Sequence, residues 1–397
     1  MSVRLRLSIL LSVGLAIGLI GVAAFADATQ LLTYEGPDYG AFFDLIESSD
    51  GNIVVAGTTH HSQFRSTLGE VLIAKLSTEG DILWERTRGG DALDQGLYVE
   101  ATEDGAYLVL GESDSFGAGE RDLYLLKIDD DGEILWEKTF GGEKTEWAKE
   151  MVALSDGNFL LVGESNSYGD SFDVYLVKID ADGNELWSTT IGDDENESGS
   201  AALEADNGDL LILAVISYSG GASAQYRDTR LFRLDAEGNL IWNQLYRGET
   251  KQAGDAMAWT KDGDIVIAGL SETDKVAYVY LDYWLAKADG ETGELIWNKV
   301  EGSQYRDDYG LAIVPLGEDD FLVTGLGQKF PLLKLNADGT VYWAKSGIDV
   351  GDRVYGGFGA IVTEPGIVMV SGFAYTSTGD DRFDAILLEV DVDALDN

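Results

Sequence analysis

Ile179-Asp180-Ala181-Asp182-Gly183-Asn184-Glu185-Leu186-Trp187 is one copy of a segment that the chain repeats along its length. An apolar run enters an Asp-Gly turn, and a second apolar run ends on tryptophan. The tryptophan recurs as Trp84, Trp136, Trp187, Trp242, Trp297 and Trp343, at spacings of 52, 51, 55, 55 and 46 residues. A period of that size, filled with short β-patterned runs, marks a β-propeller blade.

Working outward from that copy, four apolar runs separated by turn residues read as strands a to d: 148–154, 158–163, 173–179 and 185–190. The a–b link Ser155-Asp156-Gly157 and the c–d link Asp180-Ala181-Asp182-Gly183 carry Asp-Gly, which supplies the positive φ of a tight hairpin. Strand a recurs near Ala41, Leu97, Ala148, Gly199, Asp255, Gly310 and Gly356, which makes seven copies. Strand c also occurs seven times, but the Trp-bearing strand d follows it only six times before the sequence ends. The missing copy is expected at the start. Leu31-Leu32-Thr33-Tyr34-Glu35-Gly36 parallels Trp297-Asn298-Lys299-Val300-Glu301-Gly302, with Leu31 in the Trp position. The expected fold is all-β: a seven-bladed β-propeller, four antiparallel strands per blade, with the ring closed by the N-terminal strand so that no edge is left open there.

Residues 1–26 read as an export signal. Arg4 and Arg6 precede the apolar stretch 7–22, and Ala24-Phe25-Ala26 forms a small-x-small cleavage site. The alternative is an uncleaved anchor helix. Residues 27–397 are then one propeller domain, secreted to the extracellular space, the periplasm or the cell surface, with no membrane span after cleavage, and expected as a monomer. A net charge of −44 repels nucleic-acid phosphates and anionic membranes, so neither is an expected partner. Charge spread over every repeat suits either a high-salt habitat or the collection of cations. With no cysteine, disulfides and thiolate chemistry are excluded.

Asp173-Val174-Tyr175-Leu176-Val177-Lys178-Ile179-Asp180, followed by Asp182-Gly183-Asn184 and Leu186-Trp187, resembles the seven-bladed β-propeller repeat of exported bacterial and archaeal proteins. Gly141-Gly142 and the run 156–163 belong to the same resemblance, which covers residues 30–391. Asp289-Gly290-Glu291-Thr292-Gly293-Glu294-Leu295-Ile296-Trp297 is also similar to the Trp-docking repeat of quinoprotein propellers, in which Asp, Gly and Trp tie neighbouring blades together. Those dehydrogenases have eight blades, and many carry a vicinal disulfide at the cofactor. Seven units without cysteine therefore argue against a quinone cofactor.

The a–b and c–d links are short, whereas the b–c and d–a links on the opposite face are long and variable. Loops of that kind on a rigid scaffold usually carry the binding groups. Phe64, Phe116, Tyr168, Tyr218, Tyr226, Tyr278, Tyr375 and Phe383 lie in them and suit a sugar or peptide; the alternative is that each ring pins its own loop. Where d–a loops enter strand a, an acid, any residue and a small residue recur. The acids Asp38, Asp94, Glu146, Glu197 and Asp308 would surround the channel mouth and hold calcium, or else each caps its own blade. Tyr39, Trp147 and Tyr309, in the middle of three triplets, join Tyr226 and Tyr278 as candidate ligand contacts. Asp122, Asp173, Asp228, Asp282 and Asp384, which open strand c, and the cations at its end (Lys75, Lys127, Lys178, Arg233, Lys287 and Lys334) read as scaffold, the cations lying on the sheet surface.

Catalytic signals are poor. His60 and His61 are the two histidines, adjacent and without an acid pattern, and no nucleophile elbow or phosphate loop occurs. No catalytic residue is assigned, and no cofactor beyond calcium. The expected role is a non-enzymatic binding module for a protein or polysaccharide. The alternatives are a polysaccharide lyase or glycosidase using channel-mouth carboxylates, and a scaffold for envelope assembly.

Overall fold

The computed structural model describes residues 29–34, 40–59, 69–78, 80–218, 227–248, 251–275, 278–302, 308–317, 319–327, 331–346, 353–376 and 382–396. The export segment, Asp38, Tyr39, His60, His61 and Tyr226 lie outside them. The described chain is all-β, built from repeated four-stranded antiparallel units, with one short helix, α1 (Val392–Leu395), at its end. The third unit shows the pattern: β10 (Glu146–Ala153), β11 (Phe159–Ser165), β12 (Asp173–Ile179) and β13 (Glu185–Ile191), paired in that order. At the a–b hairpin, Gly157 sits at φ +79° and its N–H donates to the Leu154 carbonyl at 3.0 Å.

The middle strands are buried throughout, because neighbouring sheets cover both faces, so their sequences are continuously apolar rather than alternating. Each core cluster joins two consecutive units: Leu108, Leu110 and Leu125 of the second pack with Met151, Phe159 and Val177 of the third. The first unit packs likewise on the last, through Phe42, Leu45 and Leu72 against Met369, Ala385 and Leu387. The innermost strands touch in chain order, and β26 (Arg353–Glu364) touches β2 (Gly40–Glu47).

The units do not all stand apart. Five form separate four-stranded sheets, whereas the sixth sheet has eight strands. It holds β22 (Asp308–Gly317), β23 (Asp320–Gly327), β24 (Pro331–Asn336) and β25 (Val341–Ser346) together with β26, β27 (Ile367–Thr376), β28 (Arg382–Asp391) and β1 (Thr29–Tyr34). A two-residue ladder, Leu326 with Gly356 and Gly327 with Tyr355, joins its halves.

The N-terminal strand β1 pairs antiparallel with β28, as the missing fourth strand. Its register corrects the sequence alignment by one residue. Trp297 pairs with Lys287, whose counterpart in β28 is Glu389, and Glu389 pairs with Gln30. Gln30, not Leu31, therefore occupies the Trp register. Adjacent apolar residues such as Leu31-Leu32 carry no alternation to mark a face, so a one-residue slip is hard to see in so short a run.

The repeated tryptophans and cations bind one unit to the next. Trp84, Trp187, Trp242 and Trp297 donate their indole N–H to carbonyls of the following unit's c–d hairpin (Asp130, Ala236, Glu291 and Ala337) at 2.8 to 3.2 Å. Trp136 lies against Gly183, where an added Cβ would come within 2.5 Å of the ring. The strand-c cations, expected on the sheet surface, are buried instead. Lys75 is 3% exposed and bridges Asp50 of its own a–b hairpin (2.9 Å) to Asp130 of the next unit (2.6 Å). Lys127 does the same with Asp104 and the Ala181 carbonyl, as does Arg233 with Asp209 and the Gly290 carbonyl. A charge withdrawn from water needs such partners, and the hairpin aspartates supply them.

Candidate functional site

The innermost strands among the described residues each break register near the middle, leaving an extra residue unpaired: Phe43, Leu97, Lys149, Ser200, Asp255 and Leu311 in six of them, and Phe358-Gly359 in β26. A β-bulge turns side chains away from the regular alternation. The preceding residue is usually small because strands crowd there; a Cβ on Gly199 would stand 2.7 Å from Val162 Cγ1. Six of the bulge residues and Phe358 line a central cavity of about 440 Å³.

The lining is lopsided. At the bulge, an apolar arc (Leu311, Phe358, Phe43, Leu97) faces a polar arc (Lys149, Ser200, Asp255). The Phe43 and Phe358 rings are 5.1 Å apart. After the bulge, three strands present Asp44, Tyr98 and Glu150, and four later ones present Ala201, Ala256, Ala312 and Ala360. Four methyl groups thus leave room opposite two carboxyls and a phenol.

These acids are half-buried and have few hydrogen-bond partners. Asp44 Oδ2 accepts from the Val99 N–H at 3.0 Å, and burial pushes its carboxyl up to about 6. Glu150 accepts from the Met151 N–H at 3.3 Å and is raised well above the usual range by burial and then by Asp44 and Glu100. Asp255 Oδ2 is buried without a hydrogen-bond partner, and burial raises this carboxyl to about 7 against the pull of Arg227 and Lys149. Burial disfavours the charged form. Lys149 is engaged at 3.3 Å with Glu164, and its Nζ lies 6.0 Å from the Trp147 ring.

On the loop side of the cavity, Glu112 accepts from the Ala148 N–H, Gln95 and Arg121 at 3.0, 3.2 and 3.1 Å. Arg121 also lies over Trp147 at 4.0 Å, which fixes the ring near the lining residue Lys149 although Trp147 itself does not line the cavity. The other expected aromatic contacts are less informative. Tyr278 and Tyr309 lie on β20 (Tyr278–Ala288) and β22, paired through the backbone with Lys275 and Leu326. Phe116 and Tyr168 each pack on a strand-c tyrosine of their own unit, at 5.3 and 5.4 Å, as loop pins would.

The rim acids serve their own surroundings. Asp94 accepts from the Gly90 N–H and Ser115 at 2.7 Å each. Glu146 accepts from the Gly142 N–H at 3.0 Å and Ser165 at 2.6 Å. Glu197 pairs with Arg230 at 2.9 Å. Asp308 is buried at the start of β22, where its charge helps raise the Tyr283 hydroxyl after burial itself. Asp38, the remaining acid of the series, lies outside the described residues. Gly40 pairs with Thr59 as Asp94 pairs with Ser113, so Gly40 is the counterpart of Asp94. Among the described residues no three acids or histidines gather as a metal group.

Asp44, Glu150 and Asp255 escaped the sequence reading. The signal was there: the residue after the repeated small one changes in character along the chain, apolar in Phe43, Leu97, Leu311 and Phe358 and polar in Lys149, Ser200 and Asp255, but a single inserted residue hides its direction.

Residues 121–304 match the family described as outer membrane protein assembly factor BamB. No curated protein matches the chain. Among solved structures, an α-L-arabinofuranosidase of Fusarium graminearum is similar with a TM-score of 0.53 at 11% identity, covering 92% of this chain and 98% of that one. An α-L-arabinanase of Penicillium chrysogenum gives 0.51 at 9% identity, with the same coverage of both chains. A puromycin hydrolase gives 0.54 at 12% identity, covering 92% of this chain and 55% of that one. Likeness at such identities establishes fold alone. With the repeated four-stranded sheets, it makes this chain a β-propeller repeat protein.

Proposed function

We propose that this β-propeller repeat protein is an exported, closed, seven-bladed single domain that binds a protein or polysaccharide at its loop face, without chemical turnover. The eight-stranded sheet counts as two blades in this reading, with β1 as the last strand of the final one. The packing of Phe42 and Leu72 on Met369 and Leu387 supports closure. Export rests on the segment 1–26. The similarity of residues 121–304 to an assembly factor favours a protein ligand over a glycan.

One observation carries the choice of binding over catalysis. Asp44, Glu150 and Asp255 are all shifted upward by burial. Two-carboxylate hydrolysis needs a split pair, one acid kept protonated and one held ionised. Asp44 and Glu150 each accept from a backbone N–H, and among the described ion pairs none holds a lining carboxyl ionised, whereas ligand recognition needs no such split. A second reading, a glycosidase, draws on the same enclosed carboxyls. The test incubates purified protein with a polysaccharide array and with envelope extract. The expected result is retention of a ligand, lost in Trp147→Ala, with no new reducing ends. Release of reducing ends would replace the binding reading with the enzymatic one.

A further inference from the structure

We infer that the central cavity takes an organic monocation on an apolar stem, an alkylammonium or alkylguanidinium group, with its charge against Asp44, Glu150 and Asp255 and its stem against Phe43 and Phe358. This deepens the binding reading and rests on it.

Size and charge argue together. A cavity of about 440 Å³ is far larger than a bare metal ion, and falls within the usual range for small organic ligands. Its three lining carboxyls outnumber its one lining cation, and that cation, Lys149, is committed to Glu164. An anion would be repelled. Because no three described acids gather as a metal group, a compact divalent ion is a poor match, while a charge carried on a stem can lie among dispersed carboxyls. Asp255 Oδ2 lacks the hydrogen bond that an N–H donor of the ligand would supply. The wall beside Asp44, across from Asp255, is aromatic, and the paired Phe43 and Phe358 rings pack hydrocarbon and offer their faces to a cation.

Binding should be linked to protons. The groups facing the site are Asp44, Tyr98, Lys149, Glu150 and Asp255, with Glu100 and Arg227 acting on them through charge. A bound cation favours the ionised carboxyls, so protons leave as it enters, and affinity rises with pH through the range where Asp44 and Asp255 titrate, about 6 and about 7.

The test is calorimetric titration of the purified exported protein with n-butylammonium chloride, and in a second arm with a capped pentapeptide carrying one central lysine. The expected result is saturable binding near pH 8, roughly tenfold or more weaker near pH 5, with proton release seen as a dependence on buffer ionisation heat. Asp255→Asn and Glu150→Gln should each weaken binding by about tenfold while the melting temperature holds or rises. Binding of the amine alone assigns the site to a free small molecule; binding of both assigns it to a partner's side chain. No saturation by about 10 mM in either arm, equal binding of n-butanol, or affinity independent of pH would overturn the proposal. If the array ligand were still retained, only this inference would fall.

Discussion

Asp255 holds a carboxylate oxygen without a hydrogen-bond partner in the wall of the central cavity, an unfavourable place for a charge. A function that needs the charge explains its presence better than stability does. Asp255→Asn should therefore raise the melting temperature near pH 8, corresponding to roughly 1–2 kcal/mol, measured by thermal unfolding; a loss of stability would mean that the carboxylate is paired. The rim acids behave in the opposite way. Glu146 joins the Gly142 N–H to Ser165, so Glu146→Ala should cost roughly 1–3 kcal/mol in a urea titration. Legibility at this scale followed repetition. The recurring tryptophans were read as ties between blades and are so. The recurring lysines were misplaced on the surface because sequence shows a charge but not the hairpin aspartates that fold over it.

At the scale of elements, the hairpins were legible because Asp-Gly fixes their backbone, whereas the bulges were not. A bulge adds one residue to one strand and leaves no compositional mark. Its effect, a side chain turned into the channel, depends on pairing with the next strand. The C-terminal helix was not foreseen. It stands where other units have a c–d hairpin, and Asp396 accepts from both Trp343 (2.7 Å) and Lys334 (2.5 Å). Its N-cap is Asp391, accepting from the Ala394 N–H at 2.9 Å. Asp396→Ala should thus destabilise the fold by roughly 1–3 kcal/mol, with Trp343 fluorescence shifting to the red before global unfolding. An unchanged spectrum and midpoint would show that the helix is not a tie.

For the whole molecule, two sets of carboxyls oppose each other across the pH scale. Asp104 is held down to about 2 by hydrogen bonds from Lys127 and Thr102, so its contribution is lost only in strong acid. Asp44 is raised to about 6, and Glu100, Glu112, Glu197 and Asp255 to about 7, all by burial first. Between the ordinary carboxylate value and these raised values the folded state binds more protons than the unfolded one. Stability from this set is therefore greatest at the acid end and falls as pH rises through about 7. Thermal scans should place the maximum near pH 5, several degrees above the value near pH 8. A maximum above pH 8 would contradict the burial of these groups.

The claim on which the rest depends is that the first strand completes the last unit, making one ring of the whole chain. The protein has no cysteine, so an engineered pair reports on this without interference. Thr33 and Ile386 are directly opposed across β1 and β28. Mass spectrometry after oxidation of Thr33→Cys with Ile386→Cys should find an intramolecular disulfide that raises stability by about 2–4 kcal/mol. Leu31→Cys with Ile386→Cys, two residues out of register, should not close. Absence of the cross-link in the first pair, its formation only between two chains, or preference for the second pair would contradict the closing strand and its register.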